Sequence, residues 1–135
     1  MTNKKKRTEK QQKEYDRKRR QKHHRSFRGH ALKLYNAMLF RVKHKDVYIR
    51  RNVKVQIERA DFLDWILNDR KYKRLYRKWV NENYNHLFAP SIDRIDSFGN
   101  YSFSNIQLMT HYENIKKSKA DGSRAKSKRR KGFKK

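Results

Sequence analysis

The chain contains no cysteine. That excludes a disulfide framework, a disulfide-linked partner and any cysteine-based zinc site. No apolar run approaches the roughly 18 residues needed to cross a bilayer. The basic N-terminus also lacks the apolar segment of a signal peptide, so a reducing cytoplasm is the expected location and a membrane is not an expected partner. Acidic residues are scarce: 13 Asp+Glu stand against 39 Lys+Arg, for a formal net charge of +26. Apolar residues are also few, at 34% of 135 positions, and the two termini hold little of that share.

What is present points to one small domain with a polyanionic partner. The aromatics, 8 Tyr, 7 Phe and 2 Trp, supply the packing that a modest core needs. Residues 1–25 are dominated by Lys, Arg and Gln, with Tyr15 the one sizeable apolar side chain. Such a segment cannot bury a face. It reads as a flexible basic arm whose Arg17, Arg19 and Arg20 meet phosphates, becoming helical along a nucleic-acid backbone. Residues 26–120 carry the foldable pattern, and residues 121–135 read as a flexible basic tail.

Within that domain, Leu32, Tyr35, Leu39 and Val42 recur at helical spacing, with Ser26 as a start signal and 43–46 as an end. Val53, Val55 and Ile57 alternate with polar residues, so 47–57 reads as strand-like or as an extended lead-in. Asp61 is the expected cap of a helix that turns Phe62, Trp65 and Ile66 inward, and Asn68-Asp69 breaks it. A further helix is expected over 70–83, with Tyr72, Leu75, Tyr76, Trp79 and Val80 as its apolar face. Aromatics at that spacing read as core rather than as stacking platforms.

Residues 90–117, PSIDRIDSFGNYSFSNIQLMTHYENIKK, read as strand, turn, strand, helix. Ser97-Phe98-Gly99-Asn100 has the composition of a tight turn, and Ile106 and Leu108 point to one side of a strand. Thr110 and Glu113 form the pattern of a capping box. That cap sets the phase of the helix, so His111, Asn114 and Lys117 share a face. If the helix packs back across the hairpin, the Asp93 carboxylate and the Asn114 amide oxygen converge. Together with water and a phosphate they suit Mg²⁺ or Mn²⁺.

This order of residues resembles the HNH nucleases, whose ββα-metal motif binds one divalent ion and cuts a phosphodiester. The resemblance covers 90–117. It implies that Asp93 is the metal aspartate of the first strand, Asn105 the middle asparagine that braces the loop, and Asn114 the metal ligand on the helix. Lys117 stands where a family helix often offers a phosphate-binding lysine, beside Lys116. Upstream, the run from Phe62 to Trp79 resembles the helical lead-in of small phage members. Many members have Asp-His on the first strand; here the pair is Asp93-Arg94, and an arginine cannot accept a proton at neutral pH. A branch of the family carries Asp-Arg-Ile-Asp. The general base is then His111, His86, Asp96 or a metal-bound hydroxide, while Arg94 is a candidate to stabilise charge on the phosphate.

The expected architecture is therefore α+β, a helical N-terminal part followed by a ββα-metal motif, with basic tails. The resemblance implies a metal-dependent endonuclease that nicks or cuts DNA, in a bacteriophage or homing context. The alternatives are an HNH-like fold that holds nucleic acid without cutting it, and a basic RNA-associated protein. The last explains the charge but not the order Asp93, Asn105, Asn114.

Overall fold

The computed structural model describes residues 5–120. The expected tail at 121–135 and the first four residues of the expected arm lie outside the described residues. Six α-helices and one two-stranded antiparallel sheet make an α+β fold among them.

Helix α1 (Glu9–Arg25) occupies the segment expected to be a flexible arm. No residue of α1 is buried, so the expectation that it has no face to bury stands. Local terms account for the helix instead. Thr8 and Gln11 form a reciprocal capping box, with Glu9 in the first turn and Lys22, His23, His24 and Arg25 in the last, both complementing the helix dipole. Ser26 ends α1 and caps α2 (Phe27–His44), accepting from the Gly29 N–H and donating to the His23 carbonyl. Only glycine fits at 29, because a Cβ there would lie 1.8 Å from that carbonyl oxygen.

Residues 47–57 are not the expected strand. A short helix, α3 (Asp46–Arg50), comes first and stops in a left-handed turn at Asn52 (φ 54°). The Val53 N–H donates to the Tyr48 carbonyl and the Asn52 N–H to that of Ile49, a Schellman ending. The alternation survives over 53–57, where Val53 and Ile57 are buried and Lys54 and Gln56 exposed, with one parallel bridge between Val55 and Tyr101. Helix α4 (Arg59–Asn68) starts from Glu58 rather than Asp61, which lies inside its first turn. Asp69 ends α4 and caps α5 (Arg70–Asn81) through the Tyr72 N–H. A second Schellman ending closes α5, with Asn83 (φ 56°) left-handed, the Tyr84 N–H donating to the Trp79 carbonyl, and the two rings edge to face. One 3₁₀ turn, His86–Phe88, then leads into β1 (Pro90–Arg94).

The core joins α2, α4 and α5 to the sheet: Ala31, Tyr35 and Met38 meet Phe62, Ile66, Tyr72, Leu75, Ile92, Ile106 and Leu108. The partner strand, β2 (Ile106–Thr110), begins only after the chain turns at Ser102, whose carbonyl accepts from the Asn105 N–H. Register pairs Ile92 with Leu108 and Asp93 with Gln107. Helix α6 (His111–Ala120) follows directly. His30, buried on α2 against Trp79, hydrogen-bonds the Pro90 carbonyl at 2.8 Å and fastens the start of β1 to the helices.

Candidate functional site

Helix α6 begins with the expected capping box. The Glu113 N–H donates to Thr110 Oγ1 and the Thr110 N–H to Glu113 Oε1. With its phase set this way, α6 runs alongside β1 and meets it, and Ala89 just before it, in three successive contacts. The His111 N–H donates to the Ala89 carbonyl at 2.9 Å. Next, Asn114 Nδ2 lies 3.4 Å from Ser91 Oγ. Last, Lys117 Nζ donates to Asp93 Oδ2 at 2.6 Å and to the Arg94 carbonyl at 2.8 Å. A polar cleft results, walled by alternate residues of β1 and every third residue of α6.

Asp93 therefore meets Lys117, and the expected convergence of Asp93 with Asn114 is displaced by one step along the strand. Asp93 Oδ2 also accepts from Gln107 Nε2 at 2.9 Å. The side chains of the Asp93–Lys117 pair are 13% and 27% exposed, shielded enough for the charges to matter to each other. Ser91 and Gln107 were not singled out in the sequence. Strand alternation would have found Ser91 beside Asp93, and the register fixes Gln107 opposite it.

Arg94 faces the other way. It is 8% exposed, with its guanidinium carbon 4.5 Å from the Tyr48 ring centroid and 5.3 Å from that of Tyr101, and its Nη1 donates to the Gly99 carbonyl. Burial, then the neighbouring Tyr48, pushes the Tyr101 phenol up to about 12, so that ring stays neutral beside Arg94. A buried guanidinium held by two rings and a carbonyl is a brace for the core. Arg94, expected to stabilise charge on the phosphate, is thus turned away from Asp93 and Lys117.

Asn105 spans the loop between the strands. Its Nδ2 donates to the Asp96 and Asn100 carbonyls, and its Oδ1 accepts from the Asp96 N–H. Asp96, one candidate base, spends its carboxylate on the Phe98 N–H. His86 and His111 come together at the mouth of the cleft, ring centroids 5.5 Å apart. The remaining basic candidates are exposed: Lys116 rests near the Tyr112 ring, and Arg17, Arg19 and Arg20 lie on α1, Arg17 paired with Glu14.

The donor set fits a hard divalent ion. A carboxylate (Asp93), a carboxamide (Asn114) and a hydroxyl (Ser91) line one wall-to-wall cleft, and the carboxylate already holds a cation, the Lys117 ammonium. No group of three His, Cys, Asp or Glu occurs among the described residues, so Asn114 and water are needed to complete such a shell. Compared with protein-family models, with curated proteins and with solved structures, the chain matches none. No helix among the described residues is long and apolar enough to cross a membrane.

Proposed function

We propose that this chain is a metal-dependent HNH-type endonuclease that nicks DNA, with Mg²⁺ or Mn²⁺ as its ion. The observation that carries the reading is the cleft between β1 and α6, where Asp93, Ser91 and Asn114 stand on facing walls behind a loop locked by Asn105. A divalent ion supplies polarisation of the phosphoryl oxygen and a more acidic water. Asp93 and Asn114 would hold it. Lys117 leaves Asp93 for the phosphate, so one ammonium serves first as internal counter-charge and then as a substrate contact. The imidazoles of His86 and His111 are the groups at the cleft able to take the proton from attacking water at a ring nitrogen. Arg94 cannot, being permanently charged and buried on the far face. The surrounding charge of +26 draws the phosphate backbone.

A second reading, a module that binds nucleic acid without cutting it, is favoured by the Lys117–Asp93 pair itself, which already satisfies the carboxylate. One experiment separates the two: relaxation of supercoiled plasmid with Mg²⁺, with an EDTA control and an Asp93→Ala comparison. The nuclease reading expects nicking that EDTA and Asp93→Ala both abolish. Tight binding with no nicking by the unaltered chain leaves the binding module.

A further inference from the structure

The most exposed large apolar side chain among the described residues is Phe98, at 69%, on the loop that joins the two strands. Single exposed apolar residues are ordinary on protein surfaces. What sets this one apart is how firmly its loop is held. Asn105 ties the loop internally, the Gly99 N–H donates to the Asp96 carbonyl and the Phe98 N–H to Asp96 Oδ1. From the body of the domain, Arg94 donates to the Gly99 carbonyl, Arg51 to the Ser97 carbonyl, and the Lys54 N–H to Asn100 Oδ1. A side chain at 99 would press a Cβ to 2.7 Å from Asn105 Nδ2, so the turn is built for glycine. The ring is thus presented by a fixed loop, with no conformational cost left to meet when something binds it.

Arg51 decides what that something is. Its guanidinium carbon lies 4.0 Å from the Phe98 ring centroid, stacked on the ring, while its Nη1 holds the loop. A flat ring beside a cation, on a chain of net charge +26, complements a flat base beside a phosphate. We infer that Phe98, seated on Arg51, is a wedge that stacks on a base of bound DNA and unstacks it from its neighbour. The inference rests on the nucleic-acid-binding part of the function proposed above, and not on cleavage.

The test uses the full chain in EDTA with a set of short duplexes, each carrying 2-aminopurine at a different position, since that base brightens when it leaves the stack. Unaltered protein is expected to raise the fluorescence of at least one duplex. Phe98→Ala should remove the rise and weaken binding about tenfold, while the dependence of affinity on salt stays the same, because no phosphate contact is lost. Phe98→Tyr should retain both signals, which separates loss of the ring from loss of the fold. Phe98→Ala with unchanged fluorescence overturns the inference, whether or not affinity falls, and so does unaltered protein that binds without any rise. Because no divalent ion is present, the two readings fail separately. A chain that unstacks bases but never nicks plasmid overturns the nuclease reading alone. One that nicks with no rise in fluorescence overturns the wedge alone.

Discussion

On one face of β1, Ser91 and Asp93 look across to Asn114 and Lys117; on the other, Ile92 packs in the core and Arg94 lies beside the stacked rings of Tyr48 and Tyr101. Both faces hold a cation close to neutralising groups, but with opposite consequences. Lys117 is partly exposed and rests on a carboxylate that has other uses, so its bond can be exchanged for a phosphate or a metal ion. Arg94 is buried on π faces and a carbonyl that have no other partner to offer, so its place is part of the fold. Charge alone does not mark a site residue; the face of the strand does, and adjacent residues fall on opposite faces.

The comparison is broken most directly by Asp93→Ala and Arg94→Ala side by side. On the nuclease reading, Asp93→Ala should reduce Mg²⁺-dependent nicking by about a thousandfold, several kcal/mol of transition-state stabilisation. Its urea midpoint should move less than that of Arg94→Ala, because Lys117 keeps the Arg94 carbonyl as an acceptor. Arg94→Ala should do the reverse. Losing the stacked guanidinium and stranding the Gly99 carbonyl should cost about 3 kcal/mol of stability, read from urea unfolding, with nicking per folded molecule largely kept. An Arg94→Ala protein of normal stability that fails to nick would return Arg94 to the reaction.

Lys117→Met sharpens the polar side. Removing the ammonium frees Asp93 for an external cation, so Mn²⁺ binding followed by electron paramagnetic resonance should tighten about tenfold, equivalent to about 1.4 kcal/mol. Nicking should nevertheless slow, since a phosphate contact is lost. Unchanged or weaker Mn²⁺ binding would show that Lys117 does not compete for Asp93.

Parts of this arrangement are legible in the chain itself. The helix starts at Ser26 and Thr110 and the break at Asn68-Asp69 follow from side chains that bond their own backbone, which needs no tertiary information. The loop-bracing place of Asn105 came through resemblance, and the hydrogen bonds describe that geometry. The strand extended back over 47–57 fails because Asp46 and Asn52 carry a helix start and a left-handed stop that the alternation after Val53 masks. In α1 the missing apolar face masks the capping box at Thr8 and Gln11, which suffices to start a helix. The cage around Arg94 needs Tyr48 and Tyr101, brought together by a bridge between distant segments, and no local pattern predicts that. The same holds for Lys117 reaching Asp93: helical spacing gives its face, while its partner depends on how α6 lies along β1.

The smallest expected effect acts on the core side of β1 through His30. Its imidazole holds the Pro90 carbonyl from α2 and lies against Trp79. Burial pushes its pKa below the ordinary histidine value and Lys33 acts the same way, while the carbonyls of Pro90 and His24 oppose them. A depressed folded value means that the unfolded chain takes up the proton first. The stability His30 contributes is then complete above about pH 6.5 and is lost as pH falls toward the folded value. The slope cannot exceed one proton, about 1.4 kcal/mol per pH unit. His24 also has a lowered value, from burial first and then Lys33, and adds to the same limb. His30→Gln keeps a donor for the Pro90 carbonyl but cannot titrate. Its urea midpoint should be lower at pH 7 and should fall less between pH 7 and 5.5 than that of the unaltered chain, the remainder being the share of His24, with nicking per folded molecule unchanged because no cleft residue is touched. An acid limb undiminished in His30→Gln would move it wholly to His24, and the core side of β1 would then carry no titration of its own.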